Sequence, residues 1–115
     1  MKRGDVYWAA LVPRSGSEQT GRRPVIVVSH DAFNQAPGWN SVIVVPMSTS
    51  ASQGRRGPTV AELPAGSAGL PRAGFALCHQ VTTLDRAKLT RKVGVLPPGI
   101  LREVEEAIKT AMGMN

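Results

Sequence analysis

The sequence predicts an α+β fold that is mainly β: a compact, strongly bent sheet or small barrel with a C-terminal helix. Two observations carry this expectation. Apolar runs of strand length recur through the first 95 residues, separated by stretches rich in Gly, Pro and Ser. The clearest helical spacing of apolar residues falls in the last segment, after Pro97 and Pro98.

Taken in order, Asp5 to Leu11 reads as a first strand, with Val6, Trp8 and Ala10 facing one way. A polar loop leads to a second strand, Arg23 to Val28, whose run Val25, Ile26, Val27, Val28 suits a strand buried on both faces. Residues 30–40 contain Asn34, Pro37 and Gly38 and read as a loop. Ser41 to Met47 is a third strand. Pro46 lacks an N–H and is expected at its end or at a sheet edge. Residues 50–58, SASQGRRGP, read as a flexible basic loop, Thr59 to Leu63 as a short strand, and Pro64 to Gly74 as a long turn-rich connection. Phe75 to Thr82 and Leu89 to Val95 complete the strands. In the terminal helix Pro98 suits the first turn and Gly113 the stop, and Ile100, Val104, Ala107, Ile108, Ala111 and Met112 share a face.

At 115 residues the chain, 1–115, is expected to form one domain with a modest core. Its apolar runs fall well short of the roughly 20 residues a membrane-spanning helix needs, and no apolar leader follows Lys2 and Arg3, so a cytoplasmic location is expected. A single cysteine, Cys78, excludes an intramolecular disulfide and a cysteine zinc cluster. The net charge is +6, and the helix from Pro97 to Met112 contributes −1, so the rest of the chain carries +7. The positive charge sits on the β-rich body, at Arg14, Arg22, Arg23, Arg55 and Arg56 among others, as a polyanion-binding groove requires.

The segment GSEQTGRRPVIVVS, residues 16 to 29, places Glu18, Gln19, Arg22 and Arg23 in a glycine-bracketed loop at the mouth of an apolar strand. Pro24 biases Arg23 towards extended backbone, and a guanidinium offers a permanently charged, planar fork that fits a phosphate. Together with RGDVYW at residues 3–8, the VVPMS strand end at residues 44–48 and QVTTL at residues 80–84, this segment resembles the MazF/PemK family of toxin endoribonucleases, over nearly the whole chain. The resemblance implies an SH3-like barrel of the CcdB/PemK type, a homodimer, and metal-independent, sequence-specific cleavage of single-stranded RNA. It also implies 2′,3′-cyclic phosphate and 5′-hydroxyl ends and an acidic cognate antitoxin.

The residues support this chemistry with few candidates. Metal-free RNA cleavage needs a base for the 2′-hydroxyl, a proton for the leaving 5′-oxygen, and positive or hydrogen-bonding groups at the phosphoryl oxygens. No HExxH-type or paired-carboxylate pattern suggests a metal, and no cofactor is implied. Arg23 stands at the family's arginine–proline position. Its high pKa suits charge stabilisation better than proton abstraction. Ser48 stands where the family usually carries a catalytic threonine, and Thr49 offers a second hydroxyl on the opposite side of the pleat. Glu18 either accepts the 2′-hydroxyl proton or orients Arg23, and Gln19 either fixes the loop or reads a base. Gln80, on the strand with Cys78 and Val81, either borders the cleft or satisfies buried backbone groups. Arg22, Arg55 and Arg56 are candidate phosphate contacts. Phe33 and Trp39 either stack single bases or pack at a subunit interface. A second reading is a non-enzymatic toxin resembling CcdB, which traps DNA gyrase; such a binding protein needs neither Arg23 nor a hydroxyl at position 48.

Overall fold

Eight residues, Ser41–Ser48, form the strand to which most of the sheet is attached. The computed structural model describes residues 1–12 and 21–114, with Arg55 and Arg56 described by their backbone alone. Seven strands follow in chain order: β1 (Asp5–Leu11), β2 (Gly21–Val27), β3 (Ser41–Ser48), β4 (Val60–Leu63), β5 (Gly74–Leu77), β6 (Thr82–Asp85) and β7 (Leu89–Val95). A four-residue helix, α1 (Asp31–Asn34), lies between β2 and β3, and α2 (Pro98–Met112) closes the chain. The path across the sheet is β4-β5-β3-β2-β1-β7, with β6 on β3 as well, and all pairings are antiparallel.

β3 bends because its two halves have different neighbours. One edge pairs with β2, from Val44↔Val27 to Pro46↔Val25. The other edge pairs with β6 over Ser41–Val44 and with β5 at Met47 and Ser48. Between Ala76↔Met47 and Val44↔Thr82, β3 moves three residues while the opposite chain moves six. The excess forms a 3₁₀ turn, Cys78–Gln80. The continuous strand expected over Phe75–Thr82 is therefore two strands joined by a bulged turn, and Gln80 lies on the turn rather than on a strand. The same turn explains Pro46, which lies within β3 and not at its end: the edge of β3 opposite β2 is unladdered there, so the missing N–H costs no ladder bond.

The sheet buries both faces of its central strands. Val6, Ile26, Val45, Met47, Leu63, Leu96 and Val104 belong to a core between the sheet and α2. Ala9, Leu11, Val25, Val27, Val42 and Val44 form a second cluster on the reverse face. Val25, Ile26 and Val27 are wholly buried, as their unbroken apolar run requires. On α2, Val104 and Ala107 are buried and Ile100, Leu101 and Ile108 pack against the core, but Met112 is exposed. The apolar stripe thus runs through Leu101 and stops short of Met112.

Two expected loops carry structure. Residues 30–40 are held by α1 and by Arg86, whose guanidinium donates to the carbonyls of Asn34 (2.7 Å), Trp39 (3.1 Å) and Phe33 (3.4 Å). Residues Ala51–Thr59 form a 3₁₀ segment broken at Gly57, whose φ of 77° only glycine adopts freely. The connection from Pro64 to Gly74 folds over β7. Ala68 holds φ 52° in a short 3₁₀ turn, Ser67–Gly69, and the Leu70 N–H closes that turn on the Ser67 carbonyl at 2.9 Å. A Cβ at Gly94 would lie 2.3 Å from the Ala68 carbonyl oxygen, so glycine at 94 is what lets this turn sit on the sheet. Gly94→Ala is therefore expected to lower stability by about 1–3 kcal/mol, read as a reduced midpoint in urea with little change in slope.

Candidate active site at the strand ends

The C-terminal end of β3 and the N-terminal end of β2 meet where the Leu70–Arg72 connection crosses them. They border a cavity of about 250 Å³ lined by Trp8, Arg22, Arg23, Pro24, Met47, Ser48, Thr49, Leu70, Pro71, Arg72 and Gly74. Four of the residues singled out in the sequence, Arg22, Arg23, Ser48 and Thr49, thus share one site. The pleat sorts them into pairs. Val25↔Pro46 is the last β2–β3 pair, and continuing this register by two residues sets Arg23 against Ser48. By the same alternation Arg22 and Thr49 share the opposite face with Trp8 and Met47. Arg23 is half-buried, as expected of an arginine that leaves a rigid strand beside Pro24.

Ser48 is 5% exposed, and its Oγ accepts the Ser50 N–H at 3.1 Å. That bond uses one lone pair and leaves the hydroxyl proton available to donate. Thr49, by contrast, is exposed. The Arg22 guanidinium carbon lies 5.1 Å from the centroid of the Trp8 ring, a cation–π contact. Three ion pairs, Arg3–Glu105, Lys92–Asp5 and Lys109–Glu106, lie away from the cavity.

The remaining expected site residues fall elsewhere or outside the described structure. Glu18 and Gln19, with Arg14, lie outside the described residues. The backbone of Arg55 and Arg56 runs in the 3₁₀ segment that follows Ser48. Gln80 does not line the cavity; its Nε2 lies 3.4 Å from His79 Nε2 on the 78–80 turn. Phe33 and Trp39 pack against each other with tilted rings, 4.9 Å between centroids, near the far ends of β2 and β3, and both are about half exposed. His30 caps α1 by accepting the Ala32 N–H at 2.9 Å. Cys78 is buried between β5 and α2, its Sγ 3.6 Å from the Val104 carbonyl oxygen, and burial pushes its thiol up to about 12, so it is no nucleophile at neutral pH. Asp31 is held below the usual carboxylate range first by the Arg3 N–H at 2.7 Å and then by the Asn34 amide, a structural role.

A family model described as PemK-like, MazF-like toxin of type II toxin-antitoxin system matches residues 2–112. The chain belongs to this toxin family. It is 35% identical over 114 residues to Endoribonuclease EndoA of Bacillus subtilis, an alignment that covers 99% of this chain and 96% of that protein. Among solved structures, MazF from Deinococcus radiodurans superposes with a TM-score of 0.81 at 29% identity, covering 99% of this chain and 97% of that one. A mycobacterial endoribonuclease solved in complex with its cognate antitoxin superposes with a TM-score of 0.79 at 25% identity, covering all of this chain and 97% of that one. These similarities bear out the α+β toxin fold expected from the motifs.

Sequence reasoning did not connect Trp8, Leu70 or Arg72 to the site of this toxin-family chain. Trp8 lies in RGDVYW and on the face shared with Val6, which is the one signal that could have found it. The burial contrast at the β3 end separates the two candidate hydroxyls. Ser48→Ala should abolish most RNA cleavage and Ser48→Thr should retain it. Thr49→Ala should have the smaller effect, measured as initial rates on one RNA substrate with unfolding midpoints compared in parallel.

Proposed function

We infer that this chain is the toxin member of a type II toxin–antitoxin pair and an endoribonuclease, acting as one domain over residues 1–115. The observation that carries this reading is the register that brings Arg23 and Ser48 to one cationic cavity at the strand ends. In this reading the substrate is single-stranded RNA, cut at specific sequences without a metal ion. The 2′-oxygen attacks the adjacent phosphorus, the bond to the 5′-oxygen breaks, and the fragments carry a 2′,3′-cyclic phosphate and a 5′-hydroxyl.

Each side chain then has a role that its chemistry suits. Arg23 donates to the phosphoryl oxygens, where negative charge builds in the transition state. Ser48 donates its free hydroxyl proton to the same group, its oxygen held in place by the Ser50 amide. Glu18 is the carboxylate assigned to take the 2′-hydroxyl proton, and the departing 5′-oxygen takes a proton from solvent. Arg22, with Arg55 and Arg56, grips neighbouring phosphates, and Gln19 and Gln80 are assigned to base or backbone contacts. The protein works as a cytoplasmic homodimer, and an acidic antitoxin covers the basic face. No helix among the described residues is long and apolar enough to cross a membrane.

Cleavage of a long single-stranded RNA should persist in excess EDTA, with duplex RNA resistant; loss on chelation that a divalent ion restores would overturn the mechanism. Arg23→Ala should lower the cleavage rate by about 10²–10³-fold or more with the circular dichroism spectrum unchanged, because removing one preorganised donor costs that much. Arg23→Lys should also be poor, since an ammonium lacks the planar fork. An acidic antitoxin segment and RNA should exclude each other. Titrating the segment into a complex of labelled RNA with the Arg23→Ala protein should release the RNA, read as a fall in fluorescence anisotropy.

A further inference from the structure

We propose that the slot between Trp8 and the Leu70–Arg72 turn seats one unstacked base of the RNA beside the cleaved bond, with Arg72 as a further phosphate ligand. The inference rests on the reading of the chain as a ribonuclease and assigns its cavity a specificity function. Trp8, Pro24, Met47 and Leu70 supply an apolar interior, and Arg22 and Arg72 are exposed cations that also line it. That division, apolar space beside positive charge, matches a nucleotide: a base with a π face and an adjoining phosphate. At about 250 Å³ the cavity is smaller than the roughly 300–1,000 Å³ of drug-sized sites, so it has room for a single ring system and not for a run of bases.

The walls are set by packing. Leu70 is buried, and the turn that carries it is fixed on β7 by the close approach of Gly94 to Ala68. Trp8, also in the lining, is half-buried on β1 at the register of Pro24. The Arg22 guanidinium, 5.1 Å from the ring centroid, already occupies a face of the indole with a planar group. A base takes that place, and Arg22 moves from the ring to a phosphate. With aromatic residues only 4% of the chain, one base seat, rather than a stacking platform, is what the molecule can build.

The chain contains two tryptophans, so Trp39→Phe leaves Trp8 as the only indole, and Trp39 lies at the far end of the sheet from the cavity. The probe is a labelled, randomised 2′-O-methyl RNA octamer, which cannot be cut. Its binding to the Trp39→Phe protein, followed by anisotropy, should be accompanied by quenching of Trp8 emission. In Trp8→Phe, which keeps Trp39, emission should not change on binding. Binding with unaltered Trp8 emission overturns the base seat and leaves the ribonuclease reading intact. Failure of the parent protein both to bind the octamer and to cut RNA removes the ribonuclease reading and the seat with it.

Cleavage supplies the second arm. Trp8→Ala should lower kcat/KM by about 10- to 100-fold, as loss of one base–aromatic stack does, and flatten the base preference at one position next to the cut, mapped by end sequencing of a long RNA. Trp8→Phe should restore most of both, and it keeps the test open if the alanine variant does not fold. Arg72→Ala should weaken octamer binding equally across sequences and reduce its salt dependence by about one phosphate contact. An unchanged base preference in Trp8→Phe and Trp8→Ala, or an unchanged salt slope in Arg72→Ala, overturns the corresponding assignment.

Discussion

The molecule depends on β3 serving two sets of neighbours at once. A strand of eight residues that pairs with β2 on one edge, and with β6 and then β5 on the other, cannot remain flat. Its bend wraps β1, β2, β4 and β5 around Ile26, Val45 and Met47, and α2 fills the open side with Val104 and Ala107. The hydroxyl proposed to act on phosphate sits at the end of this strand. Ser48 is the last residue that β5 can pair, through Ser48↔Phe75, and the register from β2 sets Arg23 against it. The closure that buries the core therefore also aligns the two groups proposed to act on phosphate, and neither can shift without disturbing a ladder.

Charge follows the same partition. Of the carboxylates described, Asp5 pairs with Lys92 and Glu105 with Arg3, while Asp31 accepts from backbone and amide groups. Glu62, Glu103 and Glu106 line a separate groove of about 870 Å³ between β4 and α2, together with Arg102. Arg22, Arg23 and Arg72 converge on the strand-end cavity, with no carboxylate among its described lining residues. A chain of net charge +6 thus places three arginines at one mouth and three glutamates beside its helix. Such asymmetry steers a polyanion to the mouth and orients it there, an effect that weakens as salt rises.

Much of this was legible in the order of residues. The runs DVYWAAL and VIVV and the helical spacing after Pro98 specify their elements because burial on a strand or helix leaves a period. The family motifs likewise singled out Arg23 and Ser48, which line one cavity. What escaped was everything without a period. The 78–80 turn arises from a mismatch of three residues between two strands, and no local feature of CHQ announces it. The Ala51–Thr59 segment resembles a loop in composition, yet a Cβ on Gly54 would lie 2.9 Å from the Phe75 ring, so it is packed on the sheet. Trp8, Arg22, Ser48 and Arg72 lie 64 residues apart from first to last in the chain, and only closure of the sheet makes them neighbours.

The serine at position 48 shows how tertiary context can replace a side-chain restraint. The threonine usual in the family restricts its own χ1 through its methyl group; serine gives up that restriction and retains the hydroxyl. Here the rotamer is held from outside. Ser48 is buried, paired with Phe75 on β5, and its oxygen is tied to the Ser50 amide at 3.1 Å. The amide comes from the residue just before the Ala51–Thr59 segment, which packs close to Phe75 at Gly54. A hydroxyl ordered this way keeps its proton directed away from the amide that binds its lone pair. The donor role suits a phosphoryl oxygen better than a proton-abstracting role would, since a hydroxyl that accepts an N–H bond has one fewer lone pair to offer. Burial and one backbone bond thus perform the restraint that the missing methyl group would otherwise supply.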